Sequence, residues 1–277
     1  MLLGIIAVVS LLAAAGICIG SGAFSGLTFL WMAPVSFVGS FLVCLIIAFL
    51  FLFFACKAVD QDKEQEHDSK FYRCVTYLYI DLLISLLRVR IHTEGLEQTP
   101  KEGRFLLVGN HRHLADPAVL LAMFKKSQLA FISKQKNRDM FIVGDLMHKI
   151  MCQTLDRDND RQALKTILKC IQLIKEDEVS IGVFPEGYTS PEGKLHHFRS
   201  GVFKIAQKAN VPIVVCTLRG TRELFHNVLH LKPADVELHL VGVIPAEELK
   251  GKTAVEIGNQ VHQMMAEDLG PENVAED

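Results

Sequence analysis

The sequence predicts an α/β fold, a mainly parallel sheet flanked by helices, preceded by an N-terminal two-helix membrane hairpin. Three observations lead there. Residues 1–56 contain no Lys, Arg, Asp, Glu or His, and the first charge is Lys57. After that, short apolar runs alternate with amphipathic segments, the pattern of strand–helix–strand units. Gly, Pro, Asn and Asp punctuate the joints between them.

Leu2 to Ile19 is the first apolar helix and Val35 to Cys56 the second. A spanning helix needs roughly 20 apolar residues to cross a ~30 Å hydrocarbon layer, and both come close to that or exceed it. Gly20-Ser21-Gly22 through Pro34 reads as the turn, with Trp31 placed for the headgroup layer. A signal peptide is disfavoured, because no positive n-region precedes the apolar run and the run continues too far. Two shallow interfacial helices would satisfy the same composition. Only Lys57 and Lys63 lie close enough to orient the hairpin.

Residues 58–70 are polar and charged, and Phe71 to Leu87 is apolar again, a helix on the core or at a membrane surface. Arg88 to His92 alternates as a half-buried strand. Strands follow at Phe105–Val108, Leu129–Ser133, Val179–Phe184, Val211–Leu218 and Val236–Val243. Helices are expected at Pro117–Lys125, Asp139–Ile150, Asp160–Lys175, Val202–Lys208 and Ala254–Ala266. In the third of these, Leu164, Ile167, Leu168, Ile171 and Ile174 share one face. The acidic tail, Pro271 to Asp277, should fray. The expected organisation is a hairpin over 1–57, a linker and peripheral helix over 58–87, an α/β domain over 88–270 and a tail over 271–277.

The seven cysteines are odd in number and scattered, with no CxxC, so they read as reduced thiols and a cytosolic polar part. A net charge of −2 with no basic stripe gives no sign of a nucleic-acid partner. His196-His197 beside Glu192 lacks metal-ligand spacing, since adjacent residues seldom face one ion, and no metal is expected.

The chemistry concentrates in three stretches. Asn110-His111 leaves a strand in a loop, and Asp116-Pro117 starts the next helix. Histidine is the usual general base near neutral pH, and a carboxylate on its far nitrogen sets the tautomer. Taken alone, Asp116 is equally an ordinary helix cap. Phe184-Pro185-Glu186-Gly187-Tyr188-Thr189-Ser190 is a sharp strand exit, with Gly187 free to take an unusual backbone angle. Asp156-Arg157 precedes the amphipathic helix, where Arg157 can fork onto a phosphate, and Lys134 adds a second cation. In an open α/β sheet, sites lie beyond the strands' carboxyl ends.

In this order, with Val211-Pro212-Ile213-Val214 after them, these pieces resemble the glycerophospholipid acyltransferases, in particular the PlsC-type 1-acyl-sn-glycerol-3-phosphate acyltransferases. The family's NHxxxxD block matches Asn110-His111 to Asp116, its second block Lys134 and Asp156-Arg157, and its FPEGTRS block Phe184 to Ser190. One departure stands out: the usual Thr-Arg is Tyr188-Thr189, and Arg199 is the nearest substitute for the lost cation. The resemblance implies a membrane O-acyltransferase with His111 and Asp116 catalytic. Asn110, Lys134, Arg157, Glu186, Gly187 and Arg199 would bind substrate. It implies no cofactor; acyl-CoA or acyl carrier protein is the donor substrate, a lysophospholipid the acceptor, and phosphatidate the product. The expected location is a membrane, taken as a bacterial inner membrane with the catalytic part on its cytoplasmic face. Another lyso-lipid acceptor, a hydrolase, and an inactive lipid-binding relative stay open, as does the oligomeric state.

Overall fold

Two apolar helices, α1 (Leu2–Gly20) and α2 (Phe29–Lys57), open the computed structural model, which describes residues 1–156, 159–230 and 232–275. They pack side by side. Ile6, Ser10, Ala14 and Cys18 form a buried stripe on α1 at four-residue spacing, and Cys18 Sγ lies 3.9 Å from Ser36 Oγ on α2. Both are long and apolar enough to cross a membrane. Most of their large side chains are exposed, among them Leu12 at 68% and Ile47 at 60%. The second helix starts earlier than its apolar run suggested. Trp31 and Pro34 therefore lie inside α2 rather than in the turn.

Helix α3 (Lys70–Leu86) settles the ambiguity of the apolar segment after the hairpin: one face joins the core. Ser69 caps it, accepting from Tyr72 N at 3.5 Å. Arg73 is buried against Asp68 at 2.6 Å and donates to Leu129 O at 2.9 Å and Ile150 O at 3.0 Å. The same helix holds the hairpin, because Tyr72 and Tyr79 hydroxyls donate to the α2 carbonyls of Ala55 and Ala48 at 2.9 and 2.6 Å.

Seven strands follow: β1 (Val89–Glu94), β2 (Leu106–Gly109), β3 (Leu129–Lys134), β4 (Gln153–Leu155), β5 (Ser180–Val183), β6 (Ile213–Arg219) and β7 (Ala234–Ile244). Their order is β1-β7-β6-β2-β5-β3-β4. The five strands from β6 to β4 are mutually parallel; β7 runs antiparallel to β6 and carries β1 parallel to itself. Helices cover both faces, which is why the central strands read as unbroken apolar runs. Leu106 and Val108 pack towards α6 (Asp160–Lys175), α7 (Lys204–Ala209) and α9 (Ala254–Leu269). Phe105 and Leu107 pack towards α3 and α4 (Asp116–Met123). The ends of β2, β3, β5 and β6 emerge at one edge, at Gly109, Lys134, Val183 and Arg219.

Several expectations need correction. The expected helix over Asp139–Ile150 is a 3-10 turn at Gln135–Asp139 followed by α5 (Val143–Lys149), broken at Ile142, whose φ is 63°. Strand β4 and helix α8 (Leu224–Leu229) had no signal long enough to read. On α6, Leu164 and Leu168 are exposed at 58% and 55%. The buried face is turned towards Thr166, Cys170 and Leu173, because Thr166 donates to Thr154 O at 2.7 Å. The tail does not fray through residue 275: Leu195 N donates to Asn273 O at 2.7 Å and Ala275 N to Leu195 O at 2.9 Å.

Candidate active site

Strand β2 stops at Gly109 because the chain turns there, and the next six residues fold back onto the first residue of α4. Asp116 is fully buried, and one of its oxygens, Oδ2, gathers the loop. It accepts His111 Nδ1–H at 2.9 Å and the backbone N–H groups of Arg112 and His113, each at 2.7 Å. A carboxylate only accepts, so Nδ1 carries the hydrogen and Nε2 presents its lone pair. That lone pair receives the Thr189 hydroxyl at 3.0 Å. The imidazole lies on the Phe184 ring, centroids 4.4 Å apart, and Phe184 in turn stacks on Phe131 at 5.6 Å. One nitrogen is thus oriented by a buried carboxylate and the other faces an alcohol.

Glu186 buttresses the loop from below. It is 1% exposed; Oε1 accepts His111 N–H at 2.8 Å and Oε2 accepts His196 N–H at 3.1 Å. Burial pushes its carboxyl up to about 7, against the two backbone bonds that favour the charged form; Asp116 raises it further and Arg112 lowers it. The main chain of His111 is held at both ends, since its carbonyl accepts Ser190 N–H at 2.9 Å. Gly187 has φ 82°, and its N–H donates to Phe184 O at 3.0 Å, closing the turn.

Asn110 is buried and spends its amide as a strap: Nδ2 donates to Leu218 O at 3.0 Å and Oδ1 accepts Leu218 N–H at 2.7 Å, tying β2 to β6. Lys134 ends β3 at the same edge, half-buried. Arg199 has an exposed side chain, and its N–H donates to Pro185 O at 2.9 Å. Arg157 lies outside the described residues. Sequence reasoning did not find the Phe184 stack or the Thr189 contact. Thr189 was visible only as a departure from a motif, and a stacking ring has no signature of its own.

An α/β sheet with a carboxylate-oriented imidazole at its carboxyl edge and no nucleophile elbow defines a class: enzymes that deprotonate an alcohol or water to attack a carbonyl. Residues 90–219 match the family model described as Acyltransferase. Over 165 residues, covering 58% of this chain and 61% of the relative, the sequence is 31% identical to a probable 1-acyl-sn-glycerol-3-phosphate acyltransferase of Mycoplasma pneumoniae. It is 30% identical over 185 residues to a chloroplastic 1-acyl-sn-glycerol-3-phosphate acyltransferase of Arabidopsis thaliana, covering 60% of this chain and 51% of the relative. The fold matches the crystal structure of PlsC, the 1-acyl-sn-glycerophosphate acyltransferase of Thermotoga maritima. That match has a TM-score of 0.61 and 22% identity, over 82% of this chain and 89% of that one. Residues 90–219 thus resemble an acyltransferase domain, the fold is shared with PlsC, and the chain spans between half and two thirds of the length of these two relatives.

Proposed function

We propose that this protein is a membrane-bound O-acyltransferase moving a fatty acyl group from acyl-CoA or acyl carrier protein to the free hydroxyl of 1-acyl-sn-glycerol 3-phosphate, giving phosphatidate. One observation carries the reading: a lone hydroxyl, that of Thr189, already rests 3.0 Å from the unprotonated nitrogen of an aspartate-oriented histidine. The acceptor hydroxyl displaces it and takes the same position. His111 then accepts the alcohol's proton as the oxygen attacks the thioester carbon, Asp116 steadies the imidazolium, and the proton passes to the departing thiolate. General-base help of this kind is worth roughly 100- to 10,000-fold in rate. The Tyr188 and Thr189 amides carry no hydrogen bond among the described residues and would be available to the tetrahedral oxyanion. Lys134, Arg157 and Arg199 would add positive charge at the acceptor end. Asn110, Glu186 and Gly187 support binding through the backbone they hold. The exposed apolar surface of α1 and α2 fits insertion in a membrane, where acceptor and product reside, with the α/β part at its cytoplasmic face.

The test is acyl transfer by the full chain in membranes, with labelled acyl-CoA or acyl carrier protein and a panel of lyso-acceptors. Labelled phosphatidate from lysophosphatidate is expected. Product only from a different lyso-lipid reassigns the acceptor; release of free fatty acid alone makes the protein a hydrolase; no turnover with any pair makes it a lipid-binding relative.

A further inference from the structure

Two arginines meet beside the loop that carries His111. Gly193 sits at φ 76°, and a methyl group built on it would lie 3.2 Å from Arg112 Nη2, 3.4 Å from Arg112 Nε and 3.3 Å from Arg222 Nη1. The two guanidiniums therefore converge over one small turn, and a side chain there would displace them. Among the described residues neither is ion-paired. Arg112 Nη2 reaches Asn273 Oδ1 at 3.5 Å, and Arg112 Nε is buried with no partner. Glu186 feels the Arg112 charge, yet both its oxygens are committed to backbone N–H groups.

Two buried hydroxyls in the same segments are equally unspent. Ser190 opens the turn that Gly193 closes, with Gly193 N–H donating to Ser190 O at 3.3 Å. Ser190 is 3% exposed and Thr221, the neighbour of Arg222, 0%; among the described residues neither hydroxyl has a partner. Like charges brought together, with buried donors left over, cost free energy unless an anion completes them. A phosphate suits the two guanidiniums, because each can fork onto its oxygens.

We propose that Arg112 and Arg222, converging over the Gly193 turn, form a phosphate subsite next to His111. Arg112 follows His111 in the chain, and the turn's first residue, Ser190, donates its N–H to the His111 carbonyl. A phosphate held there lies beside the loop that carries the base. In a glycerol 3-phosphate acceptor the attacking hydroxyl and the phosphate are on adjacent carbons, so one molecule carries both the attacking oxygen and the anion. The phosphate groups of coenzyme A or of a carrier protein's prosthetic arm offer the same chemistry. The proposal rests on the acyl-transfer reading for the identity of the ester, and on the arginine geometry for the anion.

The experiment uses the full chain in detergent micelles, with inorganic phosphate as probe. Calorimetry is run on wild type, Arg222→Gln, Arg112→Gln and Arg222→Lys. Wild type should bind phosphate saturably, and each Gln variant about tenfold or more weakly, the loss expected for a charged hydrogen-bonded pair. Arg222→Lys, which keeps the charge and loses the fork, should fall between. Arg222 is exposed, so its replacement leaves the fold intact. KM values then identify the source. A rise for lysophosphatidate but not for acyl-CoA places the acceptor's phosphate in the subsite. A rise for acyl-CoA but not for a phosphate-free acyl thioester places the donor's. No phosphate binding by wild type, or equal affinity and equal KM values in wild type and both Gln variants, overturns the proposal. If no phosphatidate is made, the acyl-transfer reading fails while the calorimetry still decides the subsite.

Discussion

Two histidines of this protein sit at the carboxyl edge of the same sheet, each paired with an aspartate and each accompanied by a threonine. His111 has Asp116 on Nδ1 at 2.9 Å and Thr189 on Nε2 at 3.0 Å, so the imidazole stands in the middle. His239 on β7 has Asp268 on Nδ1 at 2.5 Å, and Thr217 donates to the other oxygen of that carboxylate at 2.5 Å, so the carboxylate stands in the middle. The surroundings differ to match. Asp116 is fully buried and oriented by two backbone N–H groups, whereas the Asp268 side chain is 14% exposed at the carboxyl end of α9, with Arg219 3.9 Å away. A carboxylate there opposes the helix dipole, and Arg219 offsets it. The same three residue types give a carboxylate-oriented imidazole facing a hydroxyl in one arrangement and a partly buried cluster centred on the carboxylate in the other. What separates them is which atom is central and whether its orientation is enforced.

That contrast can be broken or sharpened by substitution. His111→Ala should lower kcat by roughly 100- to 10,000-fold in the acyl-transfer assay while the protein still inserts in membranes; unimpaired turnover would remove His111 as the base. Glu186→Gln addresses the buttress that His239 lacks. Its carboxyl is raised in the folded protein, so the neutral form favours folding. That contribution is fully present below about pH 4.5 and is lost as pH rises through about 7. Denaturant melts across this range should show a decline of about 3 kcal/mol in wild type and a flatter curve in the variant. Identical curves would mean that Glu186 ionises normally. Thr189→Val removes the hydroxyl that, in the proposed reaction, the acceptor would displace. Its kcat/KM should move by no more than about tenfold, the weight of one neutral hydrogen bond; a loss comparable to that of His111→Ala would make Thr189 a participant in the chemistry. His239→Ala should leave acyl transfer within about twofold and cost about 1 kcal/mol of stability at most.

The first arrangement was legible in the chain and the second was not. Asn110-His111 and Asp116 are close in sequence, and strand exit, turn and helix start are local matters of backbone conformation and capping. Thr217, His239 and Asp268 are separated by 22 and 29 residues and meet only because β7 runs back along β6 before α9 folds over both. The antiparallel edge, the Phe184 stack and the Arg112–Arg222 convergence share that character. Arg73 is the plainest case: its place in an apolar helix gave no hint that it bridges Asp68, β3 and the end of α5.

By itself the sequence determined the apolar hairpin, the alternation of strands and helices, and the loop that carries His111 and Asp116. Each depends on periodicity, charge exclusion or turn chemistry within a few residues of chain. Only the tertiary structure decided the reversed β1–β7 edge, the face α6 buries, the lone pair's hydroxyl neighbour and the convergence of Arg112 and Arg222 over the Gly193 turn. Those are contacts between segments far apart in sequence, set by the shared requirement to bury apolar surface and pair polar groups at once, and no local pattern encodes that balance.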